Sequence, residues 1–427
     1  MEAMSVFQHP DPPGSSELDA LTPYQGKVTT FTSLKNRHYR WFWLGMLASF
    51  VAVHFQLVAR NWLVYEMTGS ALALGIVIAA WGIPILLLSL YGGAVADRVK
   101  KRDLLIWTQV ANGIITLIIA VLIGTGEIAL WHLIAAAALT GIIFAFHVPA
   151  RLAIIPELVQ KRELMNAIAL NSTGMNLSRF IGFAIGGALL GAIGVAGVYY
   201  LVVFCFFVSA ALLFMLPVVE KVRERAVTSI RVDLVEGLRY LHHSPIIRSL
   251  LAMAFVSMAF GLPYMNLMPI FAVDVFDVGE VGLGLLLGMA GLGSLIGSLV
   301  IASLGDFRRK GLLLVGLAFG FGVSVTFFGF SGYYPLSLVL LVAVGLLGTG
   351  YLAINNTLIQ SNVPHEMLGR VMSIYVMTFA MMPLGTLPLG AVSEAVGAPL
   401  AIGAGGIIVV LFTLVMAVFQ PRLRRLE

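Results

Sequence analysis

Twelve apolar stretches succeed one another along this chain, near 41–63, 71–95, 104–123, 129–147, 166–192, 198–217, 246–271, 281–304, 312–330, 336–359, 371–396 and 400–418. Each is close to the 20 or so residues that a helix needs to cross a hydrocarbon core. A backbone in lipid must satisfy its own polar groups, so stretches of this length predict helices rather than strands. The side-chain balance agrees, with 59% hydrophobic and 11% charged residues, where a soluble domain carries roughly 25% charge. The expected fold class is an all-α polytopic membrane protein with twelve transmembrane helices. The lone Cys205 lies in an apolar run, which excludes an intramolecular disulfide and a cysteine-rich metal site.

The polar remainder divides the chain. Residues 1–35 carry Pro10, Pro12, Pro13, Gly14 and Pro23 and lack the apolar core of a cleavable signal. They read as a disordered cytoplasmic tail, so the first span must direct insertion. A six-helix bundle over 36–217 and a second over 246–420 flank a polar connector, 218–245. Within it Ile230, Leu234 and Leu238 share one face of an amphipathic helix over 230–241. A basic tail, 421–427, closes the chain. If both termini and alternate loops are cytoplasmic, all of the 26 lysines and arginines fall in those loops and their flanks except Arg60 and Arg179. Arg151, Lys161 and Arg162 count there as one such loop, and the opposite loops carry Asp274, Asp277 and Glu280. That asymmetry sets both termini in the cytoplasm, and the expected location is a plasma (inner) membrane. It also explains the net charge of +5 without a nucleic-acid partner.

The halves echo each other. Leu74-Gly75 … Gly82 … Ser89-Leu90 … Asp97 … Lys100-Lys101 … Leu104-Leu105 reappears 209 residues later as Leu283-Gly284 … Gly291 … Ser298-Leu299 … Asp306 … Arg309-Lys310 … Leu313-Leu314. A weaker echo links Val159 and Leu164 with Val363 and Leu368. Two six-helix halves related by repetition are the mark of a duplicated transporter.

Between the second and third spans runs Gly93-Ala-Val-Ala-Asp97-Arg98-Val-Lys100-Lys101-Arg102. This resembles the cytoplasmic signature of the major facilitator superfamily. The resemblance implies that Gly93, Asp97, Arg98, Lys101, Arg102 and, in the second copy, Asp306 form a latch between the halves in the outward-facing state. The second copy departs from the pattern, with Phe307 for the arginine and Ala302 for the glycine. The fifth span carries Gly182-Phe183-Ala-Ile-Gly186-Gly187, with Gly174 and Gly191 on either side. It resembles the glycine motif of that superfamily's antiporters, although Phe183 stands where proline is usual. A small-residue packing stripe accounts for the same glycines. The stretch Trp62–Gly75 and the runs Pro149-Ala-Arg151 … Pro156-Glu-Leu and Glu163-Leu-Met-Asn166-Ala … Asn171-Ser-Thr are similar to the subgroup of enterobactin exporters and macrolide efflux pumps. That resemblance implies alternating access and efflux driven by the proton gradient.

Ionisable residues at membrane depth are functional suspects. His54 lies 13 residues past Trp41, and Arg179 lies 13 past Asn166, about 20 Å into their helices. No carboxylate falls at matching depth, since Glu66, Glu127 and Glu394 lie near the outer ends. Arg179 therefore either bonds backbone carbonyls and water or faces a cavity and attracts an anion. His54 is either a hydrogen-bonded interior histidine or the proton carrier. Tyr264, Asn266, Tyr351, Asn355, Asn356 and Tyr375 join His54 and Arg179 as candidates to line a substrate cavity, beside Phe379, Met381 and Met382.

The reading is a monomeric secondary transporter, with lipid, a small-molecule substrate and the proton gradient as its partners and no cofactor or metal. It exports an amphipathic, drug-like or siderophore-like molecule. An importer of a small nutrient fits the same fold. A lipid-modifying membrane enzyme would need clustered acids, histidines or cysteines at one interface, and the sequence offers none. The chain also lacks the Gly-x-x-x-x-Gly-Lys loop of ATP-driven pumps.

Overall fold

A computed structural model of the chain describes residues 31–217, 239–304, 307, 309–379 and 381–426. Most of the N-terminal tail, the connector through residue 238 with most of its amphipathic helix, Asp306 and Glu427 lie outside the described residues. The first half consists of α1 (Arg37–Thr68), α2 (Ala71–Arg98), α3 (Lys101–Thr125), α4 (Leu130–Leu158) and α5 (Leu164–Phe214). The second consists of α6 (Pro245–Val256), α7 (Gly279–Ser303), α8 (Lys310–Phe330), α9 (Tyr334–Asn362), α10 (His365–Phe379), α11 (Met381–Val396) and α12 (Ala398–Phe419).

Eleven helices among the described residues are long and apolar enough to cross a membrane. One of them, α5, has 51 residues, about twice a bilayer at 1.5 Å per residue. Its backbone leaves helical geometry at Gly194, φ 68° and ψ 175°, a conformation essentially reserved for glycine. The chain turns there without a loop, so α5 supplies the fifth and sixth spans and the total is twelve. Local signals set the other boundaries. The Asn36 side chain accepts from the His38 and Tyr39 amides at the start of α1, and Gly69, φ 58°, ends it in the left-handed conformation. Ser70 caps α2 through the Ala73 amide.

Three boundaries differ from the sequence expectation. Helix α4 does not stop near residue 147 but continues through Pro149 and Pro156 to Leu158. Arg151 is therefore not a loop residue. It sits inside the helix and counts with Arg60 and Arg179 as an exception to the loop pattern. The seventh span is regular α-helix only to Val256; beyond it, wide and tight helical turns run from Ser257 to Val275 around Pro263 and Pro269, residues that lack the amide hydrogen a regular helix needs. Finally, Thr32–Lys35, assigned to a disordered tail, form a tight helical turn. The Ser33 amide donates to Asn166 Oδ1 at 3.0 Å, which pins the turn to the start of α5.

The two halves meet along two seams that repeat each other. In one, α2 lies on α11: a Cβ on Gly75 would stand 3.0 Å from Leu387 Cα, and one on Gly82 would overlap Pro383. In the other, α5 lies on α7: a Cβ on Gly284 would meet the Gly187 backbone, and one on Gly291 would stand 2.8 Å from Phe180 Cα. Gly75 and Gly82 are the repeat partners of Gly284 and Gly291, so the recurring glycines do the same work twice, letting helix backbones approach. Both seams lie toward the end of the bundle opposite the chain termini. At that far end, the Tyr65 hydroxyl donates to Asp274 Oδ2. Glu394 Oε2 accepts from the Ser70 hydroxyl and the Leu72 amide at 3.1 and 3.3 Å. Eleven residues beyond Gly82 on the same face of α2, Gly93 has open space where its Cβ would be. Its repeat partner Ala302 is exposed. The seams part toward the terminus end.

Candidate functional site

Between the seams, at mid-depth, three elements bring titratable groups together. Helix α1 supplies His54. Its Nδ1 is 2.7 Å from the Phe50 carbonyl oxygen, and since a carbonyl can only accept, Nδ1 carries the proton and Nε2 is left as the basic nitrogen. The imidazole stands edge-on to Phe183, 4.8 Å between centroids. It reaches α5 because Gly182 has no side chain: a Cβ there would stand 2.7 Å from His54 Cβ. Helix α5 supplies Arg179, within electrostatic reach of both His54 and Tyr264. Tyr264 comes from the irregular segment after α6, in the other half, and packs edge-on to Phe328 at 6.1 Å. His54 and Arg179 are half-buried, and Tyr264 is buried. Arg179 makes no hydrogen bond or ion pair with any described residue. The arrangement offers a positive, donor-rich surface with an imidazole beside it, suited to holding an anionic group. Among the described residues no three His, Cys, Asp or Glu side chains gather where a metal ion could sit.

The remaining cavity candidates lie elsewhere. Asn266 donates to Thr386 Oγ1 at 3.0 Å, which ties the irregular segment to α11. Asn355 donates to the Leu250 carbonyl at 3.0 Å, and Tyr351, Asn355 and Tyr375 are all buried within the second half. The Tyr375 hydroxyl points at the Leu352 carbonyl, 3.5 Å away. Asn356 accepts from Gln360 one turn further along α9 at 2.6 Å. The structure does not bring Tyr351, Asn355, Asn356 or Tyr375 to the His54–Arg179 group.

The glycine motif of α5 splits its work. Gly182 and Gly186 face α1, against His54 and Phe55, while Gly187 crosses to Gly284 of the other half. Of the latch residues, Lys101 pairs with Glu157 at 2.7 Å. Arg102 donates to the Phe214 carbonyl at 2.8 Å and lies over the Phe214 ring. Both contacts stay within the first half. Arg98 is exposed, and Asp97 occupies the last turn of α2.

Sequence reasoning missed one polar cluster. In α4, His147 Nδ1 is 2.9 Å from Thr108 Oγ1. One turn on, Arg151 lies over the Phe50 ring, 5.1 Å from guanidinium carbon to centroid. The four-residue spacing of His147 and Arg151 was the available signal, but the expected span ends near 147 and leaves Arg151 to the loop.

The same architecture recurs in solved transporters. The nucleoside transporter NupG superposes with a TM-score of 0.66 at 15% identity, over 90% of this chain and 99% of that one. A bacterial homologue of the lysosomal transporter Spinster, solved inward-facing and unoccupied, gives 0.66 at 14% identity over 93% and 96%. Among characterised sequences, the staphyloferrin A transporter of Staphylococcus aureus is 28% identical over 86% of this chain and 92% of its own. The multidrug efflux pump Tap of Mycolicibacterium fortuitum is 26% identical over 87% and 92%. The enterobactin exporter EntS of Shigella boydii is 28% identical over 77% and 76%. Residues 28–427 match the family described as transmembrane secretion effector. The chain thus belongs to that family of major facilitator transporters: a multi-pass membrane protein that moves small molecules and not an enzyme.

Proposed function

We propose that this transporter is a proton-coupled exporter of an amphipathic small molecule, working by alternating access from an inner membrane with both termini in the cytoplasm. The observation that carries this reading is the pair of glycine seams. They hold the halves together at the far end, while the same face of α2 stands open at Gly93. With the termini inside, this is a cavity closed to the exterior and open to the cytoplasm, ready to load an exported molecule. The efflux and export functions named for Tap and EntS support the direction. Arg179, with no carboxylate at its depth, is the group that attracts substrate, and His54, free at Nε2, is the proton carrier. Asp97 and its basic neighbours, with Asp306, latch the terminus end when the cavity faces outward.

The test is efflux of a substrate panel from a pump-deficient host, with and without a protonophore. Export that the protonophore abolishes is the expected result. Accumulation instead of depletion would make the protein an importer, and protonophore-insensitive export would remove the proton. Labelling of an Asp277→Cys variant by an impermeant reagent from outside checks the orientation; labelling from inside alone would reverse it.

A further inference from the structure

The cluster around Arg151 has no part in the mechanism above, and its chemistry is unfinished. Arg151 is only 9% exposed and its Nη1 is buried with no hydrogen-bond partner. Nor does the guanidinium bond any other described residue; its neighbours are the Phe50 ring and His147, itself 7% exposed and committed to Thr108. A buried cation without an acceptor is costly, and a ring face recovers only part of that cost. Such a group calls for an anion.

Its position says where the anion comes from. Phe50, under Arg151, is half-buried and lies one helical turn from His54 on the same face of α1. His54 bonds the Phe50 carbonyl and stands within electrostatic reach of Arg179. Arg151, Phe50, His54 and Arg179 thus follow one another along one side of α1, with a guanidinium that bonds no described residue at each end. This line runs from the middle of the bundle toward the terminus end, the end at which the seams part. We propose that Arg151 is a second substrate-binding residue and that the transported molecule is an organic anion bearing at least two carboxylate or similarly acidic groups, one for each arginine. Phe50 between them offers an apolar face to the part of the molecule that joins the acids.

This inference rests on the anion-binding reading of Arg179, and the test separates the two. Benzoate and benzene-1,3,5-tricarboxylate share a ring and differ in the number of acids. Their binding to the full-length protein in detergent can be read from ligand-induced thermal stabilisation. The tricarboxylate is expected to act at about tenfold lower concentration than benzoate. Arg151→Gln should erase that gap and leave the benzoate response in place, whereas Arg179→Gln should remove both responses. If Arg151→Gln does not fold, Arg151→Lys must narrow the gap, because it keeps the charge and loses the two-pronged fork. Equal binding of the two acids by the unaltered protein, or a gap that survives the Arg151 changes, overturns the second site and leaves Arg179 standing. If neither acid binds while tetraphenylphosphonium does, both readings fall together.

Discussion

In the first half, Gly75 and Gly82 let α2 close on α11; 209 residues on, Gly284 and Gly291 let α7 close on α5. The packing along the two seams is thus matched at these glycines. The electrostatics of the halves are not. The first half carries Arg60, Arg151, Arg179, His54 and His147 inside its helices. In the described helices of the second half, charged residues keep to the terminal turns, as with Arg248, Glu280, Lys310 and Glu394, or to the second turn, as with Arg370. Its interior polar groups are neutral: Asn266 on Thr386, and Asn355 on the Leu250 carbonyl. A duplicated scaffold needs both halves to rock against each other, which holds the seams alike. Recognising a charged substrate needs unpaired charge only once, and one half can supply all of it.

The largest expected effects come from breaking the matched part. Gly82→Leu and Gly291→Leu each press a side chain into the opposite half, and overpacking of this kind costs about 1–3 kcal/mol. Both should open the far end, raising labelling of an Ala71→Cys reporter from outside by about tenfold and stopping most transport. A large effect from only one of the pair would break the comparison of the seams.

The unmatched part predicts a split between function and stability. Arg179→Ala should lower transport of anionic compounds by about tenfold or more, spare neutral ones and leave thermal stability unchanged or higher, since the lost cation has no partner. Arg179→Lys should fall between. Asn355→Ala should do the reverse: a loss of about 1–3 kcal/mol of stability from the stranded carbonyl, with every substrate affected alike. Equal losses across substrates for Arg179→Ala, in step with lost stability, would make Arg179 a structural residue and erase the contrast.

Smaller shifts concern the two ends. Asp97→Asn should slow transport several-fold with expression near normal, because a bias of about 1–2 kcal/mol between two states is enough; normal turnover would leave the motif a charged loop. Tyr65→Phe removes one hydrogen bond at the far end, worth about 0.5–1.5 kcal/mol. It should raise far-side labelling of the Ala71→Cys reporter a few-fold. No change would assign the closure to the glycine seams alone.

The twelve spans, the duplication and the depth of His54 and Arg179 were legible because each is written as length or spacing. Which face a residue presents was not. Tyr351 and Asn355 sit on α9, which carries almost no apolar stripe to fix its rotation about the axis. The Asn355 amide and the Tyr375 hydroxyl, which looked ready for a ligand, turn to the Leu250 and Leu352 carbonyls of their own half. Arg151 was misplaced for a different reason. Pro149 and Pro156 signal a helix end in water, but in a membrane bundle neighbouring helices can satisfy the freed backbone groups and the helix continues.

The break at Gly194 bears on how the protein is made. Two other connections on the far side carry charges, Glu127 in one and Asp277 in another, which must be carried through hydrocarbon before they reach water. From Leu190 to Val198 the chain has no charged side chain and no loop. The two arms of α5 can therefore enter the bilayer together as one helical hairpin, with no charge to translocate at its tip. A side chain at residue 194 would oppose the backbone geometry that folds the hairpin, so its penalty would fall on biogenesis, before any substrate is met.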